Sequence, residues 1–530
     1  MKKTNITLKA GIVTVMALLL ILPGAAMAIN TETLSTNSKT FSPLNRGGGW
    51  TEQASSFWIP AIGIRYLDAI DSDTAWAVGY DGSGGNYYET WFTKTSNGGD
   101  LWYANTVIGD PDYGLGNICG IDGDTAWAAV FYTGAQDDTC GIYKTINGGT
   151  SWTHQEGPLQ GAESFANNVF FWNENDGMCQ GDLRDGYFEV YTTSNGGTDW
   201  TRVPEEDFTG DAPISGEGGW TGCIDVIGDT VTFGTNKGNI WKSDDKGYTW
   251  TVSYTGIGPG GLNEGVNEIA FKDSNNGLAA HDNGASYDLY TTSNGGGDWE
   301  QITPSGTAYS SGLSYVPGTD NMYVCTGAAT GYSGASYSFD GGYTWADYPE
   351  MFDIQMLSCD FVEGGIGWAG AFNIDEYTGG MFKYTPSTEP DLFCSGDIAW
   401  VDVTPGETVT DSFTVQNVGA AGTELDWEIE SYPDWGTWIF DPDSGLDLTS
   451  ETGVITVDVE VVAPDDPETE FTGEIVLVNS EDPEDTCTID VALATPVSQE
   501  SFIIQFFERL SERFPIAFQI MHRILETLGL

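Results

Sequence analysis

The chain has 530 residues, with 78 Asp and Glu against 18 Lys and Arg, for a formal charge of −60. That excess of carboxylates excludes a nucleic-acid partner, which needs clustered Lys and Arg, and it repels an anionic membrane surface. Hydrophobic residues at 40% and 19 Trp supply large cores, which excludes a disordered acidic chain.

The first element is an export signal. Lys2, Lys3 and Lys9 precede an apolar run, Ala10 to Leu22, that Pro23-Gly24 breaks before the small-residue site Ala26-Met27-Ala28. Residues 1–28 are therefore expected to be a signal peptide cleaved after Ala28, with a linker over 29–44 and a secreted or cell-surface product. Eight Cys in an oxidising space make disulfides the default. No C-x-x-C occurs and the only His are His154, His281 and His522, which weighs against a zinc or thioredoxin-like centre.

From residue 45 the chain repeats itself. Octapeptides of the form T-S-N-G-G-x-x-W end at Trp102, Trp152, Trp200, Trp250, Trp299 and Trp345, spaced by 50, 48, 50, 49 and 46 residues. A degenerate copy, Asn45-Arg46-Gly47-Gly48-Gly49-Trp50, lies 52 residues before Trp102. Each unit carries four short strand-like runs, the signature of a β-propeller blade. In the box, the third-position Asn or Asp can bond amides across a tight turn, the fifth-position Gly can supply positive φ, and the Trp can bury its ring between blades. After Trp345 come three more runs, Gln355–Phe361, Gly367–Phe372 and Gly380–Tyr384, without a box. The orphan copy at Trp50 offers the missing outer strand. The expected fold is all-β, a seven-bladed propeller over 45–385 whose N-terminal strand closes the last blade. Blade grammar suggests the disulfides Cys179–Cys223 and Cys325–Cys359, with Cys119–Cys140 by proximity.

At these residues the chain resembles the Asp-box (BNR) repeat families. The stretch Asn173–Trp200 looks like secreted proteins similar to the photosystem II stability/assembly factor. The resemblance covers about 340 residues. In such families the box lies on outer-strand turns, which implies a structural role for it here.

Residues 386–497 change composition: from 391 onward they hold 26 acids and no Lys or Arg. Alternating runs at Thr408–Gln416, Leu425–Ile429, Gly453–Val462, Phe471–Asn479 and Thr486–Ala494 read as an immunoglobulin-like β-sandwich. The segments Asn417-Val418-Gly419, Leu425-Asp426-Trp427, Trp438 to Gly445 and Phe471 to Ile475 resemble BACON-like and related Ig-like modules. Cys394 and Cys487, on its first and last strands, are expected to pair. Asp441 to Asp447 places oxygen ligands at alternate positions, as a calcium loop does, but lacks the bidentate Glu; the resembling modules have an ordinary turn there. No other cofactor is expected.

In the tail, 498–530, Phe502, Phe506, Leu510, Phe514, Phe518, Met521, Leu525 and Leu528 recur near helical spacing around Glu508, Arg509, Glu512 and Arg513. This is expected to be a short amphipathic helix, divided at Pro515, and the one segment suited to membrane contact.

No catalytic residue is assigned. A sialidase would need an arginine triad, and the ring region has only Arg46, Arg65, Arg184 and Arg202. Glu163, Glu217, Glu264 and Glu268 fall near the starts of inner strands and read as a solvated rim; His154 and His281 read as structural. The leading expectation is a non-enzymatic binding, scaffold or adhesion protein, its partner a cell-surface glycan or protein. The alternative is a glycan hydrolase with a carboxylate pair in the ring's central depression.

Overall fold

A computed structural model describes residues 49–496, apart from 84–89, 133, 135–136, 258–264, 283–286, 376, 397, 420–422 and 450–451. The expected signal peptide, linker and tail helix lie outside the described residues.

Seven antiparallel sheets follow one another around an axis and form a β-propeller. Blade 1 contains Ile62–Ala69, Thr74–Asp81, Trp91–Ser96 and Trp102–Thr106, in that order from the axis outward. The innermost strands of blades 2 to 7 are Tyr113–Gly120, Ala166–Phe171, Gly219–Ile227, Glu268–Phe271, Gly312–Tyr315 and Met356–Phe361. Blade 4 gains a fifth strand, Phe208–Thr209, running parallel to Trp250–Thr251. The outer strand of blade 7 is Gly49–Ala54, which pairs antiparallel with Thr378–Thr385, Trp50 opposite Tyr384. The ring is thus sewn shut by the start of the described chain.

Second strands, and the inner strand of blade 2, are buried in unbroken runs, as in Thr74–Gly79 and Tyr113–Ile118, rather than on alternate residues. Both faces of a blade are covered by its neighbours, so both faces must be apolar.

The repeated turn joins the third and fourth strands and bonds the same way each time. In blade 1 the Asn97 Oδ1 accepts the Leu101 N–H at 3.1 Å, and the Thr95 hydroxyl accepts the Gly99 N–H at 2.9 Å. Asn147, Asn195, Asp245, Asn294 and Asp340 accept the equivalent N–H at 2.8–3.0 Å. Gly98 and Gly99 take φ of +71° and +85°, a region that penalises side chains. The Trp closing each turn packs toward the adjacent blade: Trp152 lies 5.4 Å from Phe92, and Trp102 lies 6.5 Å from Trp368.

The three disulfides expected in the ring are not formed; Cys119, Cys140, Cys179, Cys223, Cys325 and Cys359 are buried free thiols. Neighbouring blades present opposite faces to each other. Cys179 shares a core with Cys119 of the preceding blade, whereas Cys223 turns to Val266 of the following one, its thiol 3.6 Å from that carbonyl. Cys325 accepts the Tyr309 N–H at 3.1 Å and sits 3.1 Å from the Ser336 hydroxyl, while Cys359 points at the Val324 carbonyl. Cys140 bonds Asp137, three residues away.

Residues 391–496 build a two-sheet β-sandwich around one core. Its sheets are Leu392–Ser395, Thr408–Asn417, Ile455–Val462 and Thr437–Asp441, facing Ile398–Trp400, Asp482–Ala494, Glu470–Asn479, Glu424–Ser431 and Ser444–Thr449. The Cys394–Cys487 disulfide is present, bridging the two sheets. The stretch weighed as a calcium loop covers the end of strand Thr437–Asp441 and the start of strand Ser444–Thr449, and the Asp447 N–H donates to Asp426 Oδ1 at 2.8 Å. The sandwich meets the ring at Phe339, the second residue of the repeated turn of blade 6, which lies 4.5 Å from Phe393.

Candidate functional site

The inner strands enclose an axial cavity of about 320 Å3 whose lining includes Arg65, Tyr66, Asp68, Asp225, Glu268 and Asp360. Three of these carboxylates share one arrangement. Asp68 Oδ2 accepts the Gly120 N–H at 2.6 Å, Asp225 Oδ2 accepts Phe271 N–H at 2.8 Å, and Asp360 Oδ2 accepts Ala69 N–H at 2.8 Å. Each acid therefore reaches from one blade to the innermost strand of the next. Neutral groups on the inner strands do the same task, in blade 2 and beside Asp360 in blade 7. Asn117 makes two bonds to the Val169 backbone, at 2.8 and 3.0 Å, and Ser358 donates to the Ile64 carbonyl at 2.8 Å. The axis is wrapped by a polar belt that ties blade to blade.

Desolvation pushes Asp68, Asp225 and Asp360 up from 3.8 to about 7, against the lowering effect of their backbone bonds; Asp360's charge raises the other two further. Burial, and then Asp68, hold the Tyr66 phenol well above its ordinary value. The three acids are half-buried by surface area yet deep in the ring, because the surface they expose faces the axial cavity. At neutral pH such a channel carries a mixture of protonated and ionised acids, able to donate a proton or hold a cation.

The residues singled out in sequence scatter. Glu268 lines the cavity and Glu163 is exposed. Glu217 is not a rim residue: it is 4% exposed and accepts from Ile214 N–H at 2.7 Å, Asn239 Nδ2 at 3.0 Å and Trp241 Nε1 at 3.2 Å. Glu264 and Arg46 lie outside the described residues. Arg65 sits at the cavity, 5.8 Å from the Phe131 ring, while Arg184 pairs with buried Glu189 at 3.0 Å and Arg202 with Asp185 at 2.8 Å. These arginines do not converge. His154 stacks on Tyr143 at 4.7 Å, and His281 Nδ1 lies 3.0 Å from the Gly265 carbonyl. Asp68, Asp225 and Asp360 were missed. Their signal is an acid set in an apolar inner strand just before the acidic turn, in three of seven units.

The ring end at which the innermost strands begin carries exposed apolar side chains. Trp58 (65% exposed), Tyr80, Tyr332, Phe352 (62%), Ile374 (70%) and Tyr377 (76%) all lie there, on blades 6, 7 and 1. Trp58 stacks on Trp91 with centroids 5.3 Å apart. Tyr80 meets Phe372 edge-on at 6.3 Å across the closing seam.

No protein-family model matches the chain, and no curated protein matches it. It is similar to solved propeller structures. YCF48 bound to D1 peptide is 15% identical with a TM-score of 0.43, covering 63% of this chain and 96% of that one. YCF48 from Cyanidioschyzon merolae is 14% identical with the same TM-score, covering 63% and 98%. The GH74 xyloglucanase from Xanthomonas campestris is 11% identical with a TM-score of 0.29, covering 82% and 88%. The propeller architecture stands on the strand pairing itself.

Proposed function

We propose that this is an exported binding or scaffold protein, secreted or held at the cell surface, and not an enzyme. Its ring is an Asp-box propeller that serves as the recognition platform, and its sandwich is an Ig-like spacer or adhesive unit. One observation carries this reading. Six apolar and aromatic side chains are exposed at the ring end where the inner strands begin, on the successive blades 6, 7 and 1, whereas surface apolar groups scattered singly need no partner. A cell-surface protein or glycan fits that face: aromatic rings pack on peptide side chains and on sugar rings, and the surrounding acids turn away anionic partners. Membrane contact, if made, falls to the tail.

The test is binding to arrays of glycans and of surface-protein peptides by the full chain and by a Trp58→Ala/Tyr377→Ala variant. Loss of about tenfold or more in affinity with unchanged melting supports the face, since exposed aromatic anchors dominate such contacts. Binding unchanged in the double variant refutes it.

The second reading is a glycan hydrolase. It is favoured by carboxyls raised to about 7 within a cavity, the condition of a general acid. Against it, each of these acids already commits an oxygen to the neighbouring blade. Turnover in a hydrolysis screen that Asp360→Asn abolishes would establish it.

A further inference from the structure

Lysines of the ring tie blade to blade, but blades 3, 5 and 6 carry Thr192, Thr291 and Tyr337 at the lysine position. On the face bearing the repeated turns, Lys383 of blade 7 donates to the Ser72 and Gly98 carbonyls of blade 1, at 2.9 and 3.1 Å. Lys94 of blade 1 donates to the Gly123 carbonyl of blade 2. Lys144 of blade 2 donates to Gly196 O of blade 3 at 3.1 Å. Lys242 of blade 4 ends against Gly295 of blade 5, 2.8 Å from where a Cβ would stand. Three of these ammonium groups also lie over a Trp ring: Lys94 over Trp76, Lys144 over Trp127 and Lys383 over Trp368, at 4.6–5.3 Å.

Blade 3 has Thr192 at the lysine position. There the turn of blade 4 supplies the cation itself: Lys246 replaces the first glycine and reaches back to Asp176, 3.6 Å away, over Trp172. Blade 5 also has threonine, Thr291, but blade 6 keeps the glycine, Gly341. Among the described residues nothing lies within 4 Å of a Cβ position at Gly341. Instead a cleft of about 380 Å3 opens between blades 5 and 6, lined by Thr291, Asp298, Trp299, Asn321, Asp340 and Tyr343 among others. Lys272 of blade 5 crosses the same joint but ends on side chains of blade 6, Asn321 Oδ1 at 2.8 Å and Asp320 Oδ1 at 3.7 Å.

We propose that this cleft binds a primary alkylammonium from outside the chain. The Asp320 and Gly341 carbonyls correspond to the Ser72 and Gly98 carbonyls that hold Lys383. Trp299 and Tyr343 supply aromatic faces, and Asp298 and Asp340 supply charge. An ammonium brings three N–H donors to such carbonyls, which a spherical ion does not. The source is either a lysine side chain of a partner or a free amine.

The test is calorimetric titration of the full chain, at matched ionic strength, with Nα-acetyl-lysine methylamide, 1,5-diaminopentane and the permethylated diamine. Saturable one-site binding of the primary amines is expected, with the permethylated compound weaker by about tenfold, or ~1.4 kcal/mol. Tighter binding of the lysine amide assigns a protein source, and tighter binding of the diamine a free amine. Thr291→Lys places the missing ammonium within the chain and should abolish binding while melting stays equal or rises. Tyr343→Ala, at an exposed position, should weaken binding about threefold. The proposal is overturned by the absence of saturation, by equal binding of the permethylated diamine, or by unaltered binding in both variants.

Discussion

Substituting Asp360 by Asn tests the axial belt most directly. Asp360 accepts the Ala69 N–H across the closing seam, and Ser314, Tyr66, Asp68, Asp225 and Glu268 share its cavity. Its carboxyl is raised from 3.8 to about 7 by burial. A carboxyl with a higher pKa folded than unfolded holds its proton more tightly when folded. Its stabilising effect is full below the unfolded value and is lost as pH rises through about 7. The ceiling for a shift of about three pKa units is ~4 kcal/mol. Exposure to the axial cavity roughly halves this, to about 2 kcal/mol. Asn keeps an acceptor for Ala69 but never ionises, so it escapes the loss. Thermal unfolding across pH 5 to 8 should show D360N gaining on the parent chain as pH rises, by about 2–4 °C at the alkaline end. General repulsion among the many surface acids acts on both proteins alike, so the difference between the curves is the readout. Parallel curves, or a relative loss for D360N at high pH, would refute the reasoning.

Lys94→Met keeps the apolar stem but removes the ammonium from the Gly123 carbonyl and the Trp76 face; chemical denaturation should show a loss of about 1–3 kcal/mol. Thiol titration of the denatured, unreduced chain should count six free cysteines, and the native chain should react slowly at all of them because each is buried. Reduction should lower the unfolding transition of the sandwich by about 3–4 kcal/mol and leave the ring's unchanged, since the disulfide closes a separation of 93 residues within the sandwich. Deleting residues 41–57 removes the outer strand of blade 7 and should abolish cooperative unfolding of the ring; a soluble, cooperative deletion would sink that account.

The propeller was legible because one local mechanism recurs. A hydroxyl, an Asn or Asp and a pair of glycines make a turn within eight residues, and the Trp that ends it marks the same strand each time. What depends on the relation between blades was not legible. Cys179 and Cys223 sit at related places in successive units, yet they look in opposite directions, because a blade has two faces. Asp68, Asp225 and Asp360 are ordinary acids in the sequence. Their partners, Gly120, Phe271 and Ala69, stand 52, 46 and 291 residues away; the packing of successive blades brings the first two together and ring closure the third. Glu217 failed for a related reason. Its position before a strand suggested solvent, but the amide of Asn239 and the indole of Trp241 fold over it.

The closing seam has a mechanical consequence. Gly49 stands opposite Thr385 and Ala54 opposite Gly380, so the chain enters and leaves the ring at the same end of one strand pair. Tension between the leading segment and the sandwich would act on this pair as on a zipper, loading its bonds one after another instead of all together in shear. The ring would yield first at blade 7, at a force below that needed to slide any of its strands lengthwise.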